Sequence, residues 1–193
     1  GVHNVRNALA AIIVSLDLKL DFARICRALA GFGGVQRRFQ LVGQIGNVTV
    51  IDDYAHHPTE IRATLAAARQ RYPGRRLWAV WQPHTFSRTR LLADEFASSF
   101  SAADRVIALD IYRSREVENA GGADRPINTA DVIGRMSHPS AIHIPDRRAA
   151  ADYLLERVNP GDVVLTLGAG DGDMVGRWLL EALERQRGVA NGY

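Results

Sequence analysis

Asp52, Asp53, Tyr54, His56 and His57 crowd into six positions between the apolar run Val48–Ile51 and Pro58. Two carboxylates, a phenol and two imidazoles in one turn can accept, donate and transfer protons around a small polar ligand. Capping accounts for part of the stretch: His57 reads as an N-cap, Pro58 as the first helical residue and Glu60 as a first-turn carboxylate. It does not call for Asp52, Asp53, Tyr54 and His56 together. A second cluster, Gln82-Pro83-His84 followed by Arg88 and Arg90, also stands where an apolar run gives way to a helix. Cations in a first turn oppose the helix dipole, so Arg88 points to an anion close by. Asp110 ends a third apolar run, and Gly168-Ala169-Gly170-Asp171-Gly172-Asp173 a fourth.

Strands and helices in alternation must position these groups. Phe39–Ile45 and Val48–Ile51 flank Gly46-Asn47 and read as a hairpin. Further strands are expected at 77–81, 106–109, 141–144 and 163–167. Between them the spacing predicts helices from the proline at 58 to the Pro73-Gly74 stop, over about 88–101, near 128–137 and over 146–157, with a final helix ending in a frayed tail at 186–193. Residues 111–126 read as a long loop. This alternation predicts an α/β fold: a mostly parallel sheet covered by helices on both faces, with the hairpin as its antiparallel edge. In such a sheet the four polar strand ends share one edge, so Asp53, Tyr54, His56, His84, Arg88, Asp110 and Asp171 are expected to line a single crevice. Ahead of it, residues 1–17 and 21–30 read as two helices, and Gly31-Phe32-Gly33-Gly34 as a hinge. The chain starts inside a helical pattern without an initiator methionine, which suggests a piece of something longer.

Composition narrows the classes. With 193 residues, 47% apolar and 23% charged, the chain is long enough for one good core. Lys19 is the only lysine, so the formal +3 rests on arginine. Arg37-Arg38, Arg75-Arg76 and Arg147-Arg148 are isolated pairs rather than a nucleic-acid-binding run. One cysteine, Cys26, rules out an internal disulfide, and no apolar run is long enough to span a bilayer, which fits a cytoplasmic setting. His56, His57 and His84 with a carboxylate can in principle hold zinc as a hydrolase would. Adjacent histidines diverge at a turn, however, and no metal is expected. The Gly168–Gly170 turn lacks the full dinucleotide spacing, and Asp171 and Asp173 repel phosphate there, which favours a structural tight turn. His138 and His143 read as non-functional.

Five stretches in order then match a known family: GVHNVRNALAA (1–11), Arg37-Arg38-Phe39, DDYAHHPTEI (52–61), QPHTFSRTR (82–90) and GAGD (168–171). Together they resemble the Mur ligases, ATP-dependent amide-forming enzymes of peptidoglycan precursor synthesis. Within that family they are similar to the branch that joins L-alanine to UDP-N-acetylmuramate. The resemblance implies that residues 1–36 end a truncated central ATPase domain, and that 37–193 form the C-terminal, Rossmann-like domain. The phosphate loop and the residues that hold Mg2+ belong to the missing domains, so the fragment alone is expected to be inactive.

The resemblance further implies that Asn4 and Asn7 contact the adenine of ATP, Arg38 its phosphate and Asp53 its ribose. Tyr54, His56 and Arg88 are implied to hold the incoming amino acid, Arg88 by a two-pronged grip on the carboxylate. His84 belongs to the same motif, and His56 is expected to position the amine rather than act as general base. Thr85, Arg113-Ser114-Arg115 and Gly172 depart from the family pattern. A recycling ligase that adds a tripeptide to the same sugar nucleotide, and a stand-alone nucleotide- or anion-binding module, are the alternatives.

Overall fold

The computed structural model describes residues 2–116 and 126–190. They fall into two compact units, 1–36 and 37–193. The first holds α1 (Val2–Asp17) and α2 (Phe22–Ala30). Asp21 caps α2 by accepting from Arg24 N, and Ile25 is its buried residue. Val5, Leu9 and Ile13, the apolar stripe of α1, are all more than half exposed.

The second unit is built on a six-stranded sheet in the order β1-β2-β6-β3-β4-β5, where β1 is Gln40–Ile45, β2 Val48–Asp53, β3 Leu77–Trp81, β4 Arg105–Ala108, β5 Ala141–His143 and β6 Val163–Leu167. Only β1 is antiparallel. Gly46 and Asn47 join β1 to β2 with φ of 57° and 64°, the left-handed pair a tight two-residue hairpin needs. Among the described residues six helices cover the sheet: α3 (Pro58–Arg71), α4 (Phe86–Leu91), α5 (Ala93–Ala97), α6 (Thr129–Ile133), α7 (Arg147–Leu155) and α8 (Asp173–Ala190).

Alternation along each strand divides the core in two. Ile51, Ala79, Trp81, Val106 and Leu165 pack with Ile61 and Leu65 of α3 and Phe96 of α5. Val50, Val80, Ile107 and Val164 pack with Leu154 of α7 and Val175 and Leu179 of α8. Burying each such side chain contributes about 1.5–3 kcal/mol. Gly176 admits the closest approach of α8, since a Cβ there would lie 2.6 Å from Val50 Cγ1. The two faces also divide the loops. Chain leaving β2 and β3 turns toward the α3–α6 face, whereas chain leaving β6, which lies between them, turns toward α8. Loops that part at neighbouring strand ends open a crevice there.

Several elements differ from the periodicity reading. The helix expected over 88–101 is two short ones, because Leu92 (φ −112°, ψ 22°) breaks it. Phe39 lies outside β1 with φ 48°, while Asp52 and Asp53 lie inside β2. The helix expected near 128–137 is the five residues of α6. Residues 186–190 continue α8 rather than fray, with Val175 and Leu179 anchoring its first turns, and 191–193 lie outside the described residues. The expected 111–126 loop is irregular where described, and 117–125 lies outside the described residues.

Candidate functional site

The corner after β2 is set by His57 and Glu60. The His57 ring accepts from Thr59 N, while Glu60 Oε2 accepts from His56 N at 3.0 Å and His57 N at 3.3 Å. Burial raises the Glu60 pKa, but these backbone donors, the His56 ring and Arg38 outweigh it and hold the carboxyl below its ordinary value. His56 Nδ1 lies 2.9 Å from the Tyr54 carbonyl and 3.4 Å from Glu60 Oε2. Both neighbours accept, so Nδ1 carries the hydrogen and Nε2 of the neutral ring is left as an acceptor.

Adjacent strand residues face opposite ways, and the two aspartates do different things. Asp52 is buried with its Oδ1 accepting from Thr166 Oγ1 at 2.7 Å and its Oδ2 from Arg37 Nε at 2.8 Å. Asp53, 5% exposed, accepts from Ala55 N and Phe39 N, both at 2.8 Å. Burial pushes the Asp53 carboxyl above its ordinary pKa, with the two backbone N–H groups and Arg38 pulling the other way. The Thr64 hydroxyl is a further hydrogen-bond partner of this carboxylate.

Rings join this corner to the one after β3. Tyr54 and His56 meet edge-on at 5.1 Å, His56 and His84 edge-on at 6.2 Å, and His84 stacks on Tyr112 at 5.7 Å. Arg88 Nη1 donates to the His84 carbonyl at 3.1 Å. Burial, Arg88 and His56 lower the His84 pKa, which keeps the ring neutral at pH 7. Glu116 accepts from the backbone N–H and the hydroxyl of Ser87, fixing the start of α4. Tyr54, His56, His84 and Arg88, predicted from sequence, are thus brought together. Arg38 stands beside them, its guanidinium 5.6 Å from the Tyr54 ring centroid and 3.6 Å from Glu60.

Asp110 and Asp171 do not join this group, which corrects the single crevice expected from sequence. They line a separate cleft of about 400 Å³ with Gln82, Tyr112, Arg113 and Arg147, on the side to which β6 and β5 send their chain. Asp110 Oδ1 meets His143 Nε2 at 2.9 Å, and Asp171 pairs with Gln82 and Arg147. Tyr112, stacked on His84, is the wall common to both. The dipole argument for Arg88 and Arg90 also fails. Helix α4 has six residues, so both arginines stand in its last turn as well, where cations are favoured.

Sequence reasoning missed Arg37 and Tyr112. Tyr112 directly follows a strand end at Asp110-Ile111, the signal used for the other clusters. Asn4 and Asn7 are exposed residues of α1 in the first unit. Among the described residues no group of three or more His, Cys, Asp or Glu is placed to hold a metal, and no helix is long and apolar enough to cross a membrane.

A parallel sheet carrying this doubled corner at its carboxyl edge defines a class. The family described as Mur ligase, glutamate ligase domain, matches residues 37–170, and the chain belongs to it. It is 46% identical over 186 residues to the UDP-N-acetylmuramate–L-alanine ligase of Desulforamulus reducens, covering 96% of this chain and 40% of that protein. Among solved structures it is similar to the UDP-N-acetylmuramate-alanine ligase of Thermotoga maritima, with a TM-score of 0.77, 29% identity, and 96% of this chain and 39% of that one covered. It is also similar to a murein peptide ligase of Psychrobacter arcticus, with a TM-score of 0.70, 28% identity, and 95% and 37% covered. The chain thus spans about 40% of the length of the curated relatives it matches.

Proposed function

We propose that this chain is the C-terminal part of a cytoplasmic, ATP-dependent ligase that joins L-alanine to UDP-N-acetylmuramate in peptidoglycan precursor synthesis. The observation that supports it most is the meeting of Tyr54, His56 and His84 through ring contacts, with Arg88 bonded to the His84 carbonyl. A guanidinium, two imidazoles and a phenol suit a small amino acid: the fork for its carboxylate, the ring nitrogens and phenol for its amine.

In this reading ATP supplies the phosphoryl group that converts the sugar's lactyl carboxylate into an acyl-phosphate. The alanine amine attacks the acyl carbon, the bond from that carbon to the phosphate oxygen breaks and phosphate leaves, and the amine's proton passes to solvent. Residues 37–193 hold and orient the amine, because fixing two reactants in line removes most of the entropic barrier to their meeting. Arg88 takes the alanine carboxylate, and His56 Nε2, fixed as an acceptor by the Tyr54 carbonyl, takes an N–H of the amine. Arg38 reaches an ATP phosphate, Asp53 the ribose, and Asn4 and Asn7 of residues 1–36 the adenine. Those 36 residues close the central ATPase domain. In this reading Mg2+ would be bound mainly by that domain.

Phosphate release by the full-length enzyme tests the proposal. L-alanine is expected to drive release in the presence of ATP and UDP-N-acetylmuramate, while the 193-residue chain alone is inactive. Release driven by a murein tripeptide and not by alanine would assign the chain to the recycling ligases. Tight ATP binding by the 193-residue chain alone would instead make it a stand-alone nucleotide-binding module.

A further inference from the structure

Arg37 carries no role in the reading above, yet it is the most heavily bonded side chain at the site. Nε donates to Asp52 Oδ2 at 2.8 Å, and Nη1 and Nη2 to the carbonyls of Gly170 and Gly168, each at 2.9 Å. Its own carbonyl accepts from Tyr54 N at 2.6 Å, and its guanidinium lies 5.5 Å from the Tyr54 ring centroid. One planar fork therefore ties three segments distant in sequence: the 37–39 turn, the β2 corner and the glycine loop after β6. Lysine, with one nitrogen and no fork, cannot make the same set.

The backbone beside it is equally constrained. Arg37 and Phe39 both have positive φ, 57° and 48°, a left-handed backbone that is strained for non-glycine residues. The cost is offset where each residue is held: Arg37 by Asp52 and the loop carbonyls, Phe39 by the bond from its N–H to Asp53. Arg38 lies between two fixed residues, with its side chain 49% exposed.

We propose that Arg37 is a positioning residue for the ligation, acting through Asp52 and the Gly168–Gly170 loop to set where Arg38 and Tyr54 stand. The proposal rests on the ligase reading for its kinetic consequence and on the chain's own bonds for its structural one, so two measurements separate them. In the full-length enzyme, Arg37→Lys is expected to lower kcat/KM for ATP 10- to 100-fold while the KM for UDP-N-acetylmuramate stays within twofold. Arg37→Lys combined with Asp52→Asn is expected to be little worse than the worse single variant. A uniform loss that only tracks the fraction of folded enzyme, or unaltered kinetics, would overturn the positioning role. In the 193-residue chain, hydrogen–deuterium exchange needs no activity: Arg37→Lys is expected to speed exchange in 36–41, 52–56 and 166–172 together. Faster exchange confined to 36–41 would overturn the three-way tie whatever reaction the enzyme performs, whereas a wild-type enzyme inactive with alanine would count against the ligase reading alone.

Discussion

Arg37 and Arg38 are chain neighbours whose guanidinium groups do opposite work. Arg37 is turned inward onto Asp52 and the carbonyls of Gly168 and Gly170, while Arg38 is half exposed, with the Tyr54 ring and Glu60 beside it and its charge bearing on Asp53. One holds the corner, and the other is presented by it.

Truncating Arg38 should therefore separate folding from function. Arg38→Ala removes an exposed side chain and is expected to change stability by less than about 0.5 kcal/mol. If Arg38 meets an ATP phosphate as proposed, losing that charge-assisted contact, worth about 1.5–3 kcal/mol, should cost roughly 10- to 100-fold in kcat/KM for ATP. Thermal unfolding and phosphate release on the same full-length preparation check both halves.

His56 gives a test by pH profile. Nδ1 donates to the Tyr54 carbonyl, and the proposed ligation has Nε2 accept from the amine. His56→Gln is expected to raise the KM for alanine and to leave the acidic limb of the rate profile in place. Loss of that limb with alanine affinity unchanged would make His56 the general base instead.

The glycine loop is tight by necessity. A Cβ at Gly170 would come within 2.6 Å of Tyr112 Cγ and would also strike the Gln82 side chain. Gly170→Ala is expected to destabilise by about 1–3 kcal/mol through overpacking. At about 2–4 °C per kcal/mol for a chain of this size, calorimetry should find a Tm lower by several degrees.

His84 and Glu60 are among the groups that shape stability below neutral pH, the one from 6.5 downward and the other from 4.5 downward. His84 has a depressed folded pKa, so between its ordinary 6.5 and that lower value the unfolded chain binds more protons. Stability should fall as pH drops through this window, and His84→Gln should flatten that part of the curve. Glu60 is also depressed, so its contribution is present above 4.5 and lost as pH falls through its folded pKa. Urea unfolding over a pH series, with Glu60→Gln as the second variant, resolves the two.

Most of the sheet was legible because its strands are continuous apolar runs closed by polar clusters, and the hairpin because Gly46-Asn47 permits only a tight turn. The β2 corner was legible down to its cap at His57. Periodicity could not show the break at Leu92, since Leu92 and Phe96 keep a helical stripe across it. Nor could it separate Arg37 from Arg38, which are identical letters; the left-handed turn around them decides which one faces inward. The division of the crevice was hidden as well. It depends on which face each crossover takes, and β6 enters the middle of the sheet last.

The alanine grip can be read most directly from the KM for alanine of full-length Arg88→Ala, set beside its KM for ATP. If Arg88 holds the amino-acid carboxylate, the alanine KM rises by roughly 10- to 100-fold, the value of a charge-assisted pair, while the ATP value stays within about twofold. An unchanged alanine KM would contradict the placement of the amino acid among Tyr54, His56, His84 and Arg88.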